Sequence, residues 1–446
     1  MGAQEKETQS MLNQTLLPVI LEKTKSKITP RAGLILIEKV AKELEVDQLL
    51  SLHFGHLKKR NKGLLVSRQI MDTALMLIDG GNRIEDIRQF KDDQAWQEIR
   101  GMDQAMAPRT ARDLLYRFDE ESLRQFEIME SRLTHRMTKR LKPSDTATID
   151  ADATFIEAHK EEAEMSYHGA PGYYPMLGFW AERAMAIQGE FRAGNETPSS
   201  KALAFLKKCA GGLPKGIKHK RLRADAAWFN HEVMDYCQDN NISFAIGGTR
   251  NPAMMQAIEV IPKENWEKWT EDPDVLAKHP EQKDWEISQT VYSFNEGSHA
   301  YRVVVIRKPW YQLDIFKGII YDYDIVVTNM DLEKRALVRW YWERCTSENW
   351  LKELKYGFGL NQFPCSADLP NGAYFHIVVL AYNLVQALKL LKLDERWRYL
   401  SIKTLRYHLF HVAGLVIQHA RQLFLKLYHQ YCHFDLFHKI LYQPAG

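Results

Sequence analysis

Residues 146–156 read TATIDADATFI, and this stretch decides the fold class. Ile149 and Ala151 alternate with Asp150 and Asp152, so the apolar residues lie on one face of a β-strand and the two acids on the other. Strand-like and helix-like segments then alternate up to about residue 249. This alternation predicts a mixed α/β sheet.

The regions that flank this sheet have different patterns. Residues 31–140 repeat apolar residues at helical spacing, as in Ile70, Ala74 and Leu77, and the pair Gly80-Gly81 ends that helix. Residues 250–325 carry short β-like runs between polar turns, and the chain becomes helical again after about residue 390. We therefore predict five regions: a helical, DNA-binding N-terminal region (1–140), the first part of the α/β core (141–249), a β-rich insertion (250–325), the second part of the core (326–392) and a C-terminal helical region (393–446).

The composition is that of a globular protein, with 446 residues, 45% hydrophobic and 26% charged. A formal net charge of +3 is by itself weak evidence for a nucleic-acid partner. The five cysteines include no C-x-x-C pair, which argues against a zinc site or a disulfide framework and favours a cytoplasmic location. Residues 1–10 lack the apolar segment of a signal peptide. Polar residues interrupt the most apolar stretch, 375–391, which predicts a buried core helix and no membrane span.

A second informative stretch is residues 340–355, WYWERCTSENWLKELK. At about 100° per residue, Tyr341, Arg344, Glu348 and Lys355 fall within a stripe roughly 60° wide on one face of a helix. Two cations, a carboxylate and a phenol do not form a packing stripe. The alternative is a solvated face on which Arg344 pairs with Glu348, four residues later.

The spacing Y-x2-R-x3-E-x6-K resembles the helix signature of one large branch of bacterial insertion-sequence transposases of the DDE class. Residues 148–156, TIDADATFI, resemble the first acidic strand of that family, and residues 223–229, RADAAWF, resemble its R-x-D-x-x-[FY] strand end. The string DATFIEAHK, residues 152–160, resembles that of one insertion-sequence subfamily. The three motifs occur in the family's order, and the resemblance spans about residues 30 to 430.

The resemblance implies a ribonuclease H-like catalytic core in which Asp152, Asp225 and Glu348 are the catalytic acids and the metal ligands. Asp150, on the same strand face as Asp152, is the alternative first acid. For Asp225 the competing interpretation is an N-cap of the helix that follows. The implied cofactor is Mg²⁺ or Mn²⁺, two ions per site, for which carboxylates are suitable ligands.

The implied function is cut-and-paste DNA transposition through a hairpin intermediate. The protein would bind terminal inverted repeats and target DNA, cleave the strands and transfer them, as a homodimer because two element ends react together. Arg344 would hold a phosphate through two hydrogen bonds, Lys355 would add a point charge, and Tyr341 would contact a phosphate or a base.

A flipped base would stack on a tryptophan of the insertion. The candidates are Trp266, Trp269, Trp285 and Trp310, and a core position is the alternative for each. Two other functions remain open: a relative that binds DNA without cutting it, and another ribonuclease H-like nuclease. The intact set of three acids argues against the first, and the R-x3-E-x6-K helix with its flanking helical regions argues against the second.

Overall fold

The computed structural model describes residues 19–59, 62–102, 104–314 and 318–442. For residues 310–314 and 318–319 it describes the backbone only. Its strands, in chain order, are β1 (Lys27–Thr29), β2 (Thr146–Ala153), β3 (Ile156–Glu157), β4 (Glu164–Met165), β5 (Pro171–Tyr173), β6 (Met176–Trp180), β7 (Met185–Glu190), β8 (His219–Ala224), β9 (Ile242–Gly247), β10 (Glu267–Lys268), β11 (Glu286–Ser293), β12 (Ala300–Asp314), β13 (Gly318–Thr328), β14 (Gly414–His419) and β15 (Gln422–Leu427).

The α-helices lie mainly before and after the strands of the central sheet. They are Ile35–Glu43, Val46–Phe54, Val66–Asp79, Arg88–Asp92, Gln94–Ile99, Pro108–Leu115, Glu120–Thr138, Ala202–Gly212, His231–Asp239, Pro252–Glu259, Pro273–Lys278, Lys334–Trp342, Cys345–Lys352, Asp368–Lys392, Glu395–Arg398, Ile402–Leu405 and Phe434–Tyr442.

A nine-stranded mixed sheet forms the centre of the molecule, with the order β10-β11-β12-β13-β9-β8-β2-β6-β7. β2 pairs in parallel with β8, and β8 in parallel with β9, whereas β6, β7 and β13 join this group antiparallel. β2 is covered on both faces, since Ile149 and Ala151 are buried on one side and Asp150 on the other. The mixed α/β sheet predicted from the alternating segments is therefore present, and the acidic strand lies inside it.

The helix Asp368–Lys392 is the centre of the largest hydrophobic core. It is long and apolar enough to cross a membrane by length and composition, with a mean hydropathy of 1.4, but 89% of that window is buried inside the protein. It packs against the N-terminal helices, among them Val66–Asp79, which ends where Gly80 adopts a left-handed φ of 110°. The predictions of a buried core helix and of a helix stop at Gly80-Gly81 are confirmed.

The predicted β-rich insertion, residues 250–325, is not a separate unit. Its first half contains the helices Pro252–Glu259 and Pro273–Lys278. Its strands β11 to β13 extend the central sheet, and the predicted boundary at residue 325 falls inside β13, which pairs with β9. Ladder hydrogen bonds that continue from the core strands make this region part of the same sheet.

The predicted C-terminal helical region, residues 393–446, contains helices but also two strands that the prediction missed. β14 and β15 form a hairpin, and β1 from the N-terminal part of the chain pairs with β14 to complete a three-stranded sheet. The hairpin turn places both Ala420 and Arg421 at positive φ, 49° and 64°. Such a turn normally carries Asn or Gly, so the sequence lacks the usual hairpin signal.

The two ends of the described chain also meet at Gly33. A Cβ on Gly33 would lie 1.6 Å from the carbonyl oxygen of Leu409. We expect Gly33→Ala to lower the free energy of unfolding by about 1–3 kcal/mol, the usual cost of overpacking. Gly55→Ala is the matched control, because a Cβ there meets nothing within 4 Å. Urea denaturation of both variants makes the test, and equal stability would mean that these two backbone segments do not pack together.

Candidate active site

The first two predicted acids lie at the ends of adjacent parallel strands. In the register of β2 and β8, Asp150 is opposite Arg223 and Ala151 is opposite Ala224. Asp152 and Asp225 follow one step later on their respective chains. Because the carboxyl ends of parallel strands meet at one edge of the sheet, this register brings the two acids to the same edge.

Asp150 has a different environment from Asp152. It is fully buried, and the Nε and Nη2 atoms of Arg223 donate to its two carboxylate oxygens at 2.7 and 2.8 Å. Burial raises the pKa of Asp150 to about 6, while the Arg223 guanidinium opposes that rise. Since both of its oxygens are engaged by Arg223, Asp150 is a structural residue, and Asp152 is the acid of this strand that faces the cleft.

Arg223 also holds the segment that carries the third acid. Its Nη1 atom donates to the backbone carbonyl of Trp340 and to the carboxylate of Glu343, both at 2.9 Å. The Trp340 carbonyl belongs to the last turn of the helix Lys334–Trp342, where backbone acceptors lack helical partners. One guanidinium therefore joins β2, β8 and the end of this helix.

The predicted single helix over residues 340–355 is interrupted. The helix Lys334–Trp342 ends at a turn through Glu343 and Arg344, and the helix Cys345–Lys352 then leads into a π-helix, Glu353–Gly357. The four side chains predicted to share one helix face therefore do not lie on one continuous α-helix. Arg344 lies in the turn and Lys355 in the π-helix, so their positions follow from these irregular segments.

A cavity of about 460 Å³ brings the three predicted acids together. Asp152, Asp225 and Glu348 line it with Arg344 and Lys355. Glu348 is exposed in the first turn of the helix Cys345–Lys352. Within the described parts of the chain, no group donates a hydrogen bond to its carboxylate. Arg344 does not pair with Glu348, as the alternative interpretation of a solvated face required, but contacts Asp152 instead.

The electrostatics of Asp152 reflect this grouping. Burial raises the pKa of its carboxyl to about 6, with further increases from Asp225 and Glu348, while Arg344 opposes them. The Nη1 atom of Arg344 lies 3.4 Å from Asp152 Oδ2, and the Nε atom of Arg344 is buried without a hydrogen-bond partner. The carboxylates of Asp225 and Glu348 thus repel that of Asp152, and this repulsion favours the binding of a further cation.

The donor set fits a hard divalent cation. Asp225 keeps one oxygen free, since it caps a short 3₁₀-helix through the other, 3.0 Å from the Ala227 nitrogen. Asp152 accepts the backbone N–H of Ala153 at one oxygen and the long contact from Arg344 at the other. The N-cap interpretation of Asp225 and its place on the cleft are therefore compatible. Among the described residues, however, no three His, Cys, Asp or Glu side chains are grouped closely enough to hold an ion. A cation held by all three acids would require them to approach one another by side-chain rotation.

Of the predicted DNA contacts, Lys355 is hydrogen-bonded within the protein, and Tyr341 lies close to the end of β9. The Nζ atom of Lys355 donates to the carbonyl of Phe155 at 2.8 Å. The Tyr341 hydroxyl lies 2.9 Å from the position that a Cβ would take on Gly247, at the end of β9. Both side chains border the acids, and their roles in DNA binding remain predictions.

The candidate tryptophans of the extended sheet differ in exposure. Trp269 is 2% exposed, with its indole N–H donating to Gln282, so it occupies a core position. Arg307 covers the ring of Trp266 at 4.1 Å, and Lys308 covers that of Trp285 at 4.5 Å. The side chain of Trp310 lies outside the described part of the chain.

Sequence reasoning missed the residues that organise the cleft. Arg223 belongs to the quoted RADAAWF string, but its pairing with Asp150 depends on a register that the sequence does not state. Lys352 and Tyr356 also line the cavity, and Tyr356 is 75% exposed. The pair did have a sequence signal. Asp150 and Arg223 are opposite charges, and each lies two residues before one of the two strand acids.

Comparison with known proteins supports the motif-based assignment. A family model described as "Transposase DDE domain group 1" matches residues 16–444. Among solved structures, a piggyBac transposase in a synaptic complex with hairpin DNA is similar at a TM-score of 0.47 and 9% sequence identity, covering 86% of this chain and 82% of that chain. A similarity of this size transfers no function or site residue. The chain matches no curated protein sequence.

The contribution of the Asp150–Arg223 pair to stability can be tested by substitution. We expect Arg223→Ala to lower the free energy of unfolding by about 3–5 kcal/mol, because it leaves the buried Asp150 carboxylate without its cation. Combining Asp150→Leu with Arg223→Met should recover most of that loss, since an apolar pair replaces the ion pair. The control is Arg221→Ala, two residues earlier on β8, where the described structure shows no ion pair. A loss for Arg223→Ala no larger than that of the control would contradict the pairing.

Proposed function

The chain belongs to the family described as Transposase DDE domain group 1, and we propose that it is a DNA transposase that cuts and rejoins DNA at the ends of an insertion sequence. The observation that carries this proposal is the convergence of Asp152, Asp225 and Glu348 on one cavity. These acids come from three separate segments, each of which matches a different motif of the family. A solvated helix face or a lone N-cap would not bring them together.

We propose that Asp152, Asp225 and Glu348 hold Mg²⁺ or Mn²⁺, two ions per site. The bound cations would activate the attacking oxygen and stabilise the leaving oxygen of the phosphodiester. The protein supplies the carboxylate oxygens and a cleft that opens at the edge of the sheet. The Glu348 carboxylate can turn toward Asp152 and Asp225, because no hydrogen bond among the described residues holds it in another direction.

Arg344 is suited to hold the scissile phosphate. Its Nε atom is buried without a partner, and its contact with Asp152 is long at 3.4 Å, so the guanidinium has donors free for phosphate oxygens. When the acids turn toward cations, Arg344 loses part of its attraction to Asp152 and can pair with the DNA backbone. Lys355, hydrogen-bonded to the Phe155 carbonyl, adds positive charge to the same cavity.

Water is the nucleophile for strand cleavage in this proposal, and the released DNA 3′-hydroxyl is the nucleophile for strand transfer. Water attack breaks the P–O3′ bond, leaves a free 3′-hydroxyl and places the phosphate on the other strand end. Attack by a 3′-hydroxyl on a phosphodiester forms one P–O bond and breaks another, so a hairpin intermediate needs no further cofactor. The substrates are terminal inverted repeats and target DNA, and a homodimer would process both ends.

We further propose that the five adjacent strands β7, β6, β2, β8 and β9 form the ribonuclease H-like core. Support comes from the central position of the acidic strand β2 between the antiparallel β6 and the parallel β8. The N-terminal helical region would bind DNA, and the cytoplasm would be the site of the reaction. All five cysteines are free, which is compatible with a reducing compartment.

The three acids can be tested one at a time. We expect Asp152→Asn, Asp225→Asn and Glu348→Gln each to reduce Mg²⁺-dependent cleavage of DNA that carries the inverted repeats flanking the gene, by at least about 100-fold, because each removes a charge that binds the cation. Binding of that DNA, measured without Mg²⁺, should change by less than about threefold because the fold is retained.

Asp145→Asn is the matched control, because Asp145 is an exposed acid directly before β2. It should cleave like the unchanged protein. Near-normal cleavage by one of the three variants would remove that residue from the site. No cleavage by the unchanged protein would overturn the proposed function and favour a DNA-binding relative. Cleavage that does not depend on a divalent cation would overturn the proposed metal site.

A further inference from the structure

A second cavity, of about 600 Å³, lies behind the helix that carries Glu348. Thr346, Asn349 and Trp350 of the helix Cys345–Lys352 form one wall, and no residue that lines the three-acid cavity lines this one. The opposite wall comes from the central helix Asp368–Lys392 through Gln386 and Lys389. The two cavities therefore open on different faces of the same short helix.

Lys389 is the feature of this cavity that needs an explanation. It is 3% exposed, and within the described residues its ammonium group forms neither a hydrogen bond nor an ion pair. Burial lowers the pKa of Lys389, and the more distant Glu353 only partly opposes that effect. Because Lys389 lines the cavity, a ligand in that space could give its ammonium group the partner that the described residues do not supply.

Two arginines add positive charge to this cavity. Arg183 and Arg398 also line it. The two guanidinium groups are close to each other, because the charge of Arg398 lowers the pKa of Arg183. Three cationic side chains thus surround one space. Guanidinium groups are suited to multi-oxygen anions, because they donate several hydrogen bonds in a fixed plane.

The acids of this cavity already have hydrogen-bond donors. Glu182 accepts from the backbone and the hydroxyl of Thr148, and Glu353 accepts from the backbone of Ile402. These bonds satisfy oxygens of both carboxylates without using Lys389, Arg183 or Arg398. The three cationic side chains of the cavity outnumber its two acids, which favours an anionic ligand over a cationic one.

We propose that this cavity binds a phosphate-bearing ligand of nucleotide size, with its phosphate at Lys389 and its ring against Trp350. A volume of about 600 Å³ lies in the usual range of small-molecule sites. Trp350 and Leu390 offer the apolar surface, while Lys389 and the arginines offer the charge. The phosphate could come from a free nucleotide or from a nucleotide at a DNA strand end, which share the same chemistry.

Calorimetric titration of the full chain with dAMP and with inorganic phosphate tests the site. We expect one saturable site for dAMP, weaker binding of phosphate, and a loss of at least about tenfold in dAMP affinity for Lys389→Met, equivalent to one lost charge-assisted contact. Lys403→Met is the control, since Lys403 is an exposed lysine near this cavity that does not line it. Displacement of dAMP by a 5′-phosphorylated trinucleotide assigns the site to a DNA end, and its absence assigns it to a free nucleotide.

Folding of the variants is checked by their melting temperatures without ligand. Lys389→Met should melt no lower than the unchanged protein, because it removes a buried charge that has no partner. Arg398→Ala changes an exposed residue and should weaken dAMP binding several-fold even if Lys389→Met does not fold. No binding of dAMP by the unchanged protein, or equal affinity in the folded variants, would overturn the proposal.

Discussion

The buried pair between Asp150 and Arg223 is the constraint on which the candidate active site depends. Two hydrogen bonds at 2.7 and 2.8 Å fix the register of β2 against β8, and the remaining nitrogen of the same guanidinium holds the Trp340 carbonyl and Glu343. Asp150 and Arg223 each lie two residues before a strand acid. The position of the pair therefore determines where Asp152 and Asp225 reach the edge of the sheet.

The charges of the cleft follow from that arrangement. Asp152 lies two residues beyond Asp150. It is close enough to Asp225 and Glu348 for repulsion to raise its pKa, and close enough to Arg344 for a long contact. The site thus combines carboxylates that repel one another with an incompletely paired guanidinium. A cation would satisfy the carboxylates and a phosphate would satisfy the guanidinium, which is the pair of partners that phosphodiester chemistry requires.

The sequence predicted the elements that depend on local patterns. The alternation around Asp150 and Asp152 gave the acidic strand, and helical spacing gave the helix that Gly80 ends. Features that depend on distant partners were not predictable. The turn at Glu343 and Arg344 interrupts the expected helix where Arg223, more than a hundred residues earlier, binds the Trp340 carbonyl. The hairpin turn at Ala420-Arg421 lacks the residues that usually mark one, so β14 and β15 were predicted as helical.

The central claim is that three acids from separate segments form one metal site, and it can be tested without a DNA substrate. Ferrous ion bound in place of Mg²⁺ generates radicals that cut the polypeptide near the ion when ascorbate and peroxide are added. If the three acids hold one metal site, the polypeptide is cut close to Asp152, Asp225 and Glu348. Excess Mg²⁺ should suppress all of these cuts, and Asp152→Asn should weaken all of them together. Cuts at one segment alone, or at positions away from all three acids, would contradict it.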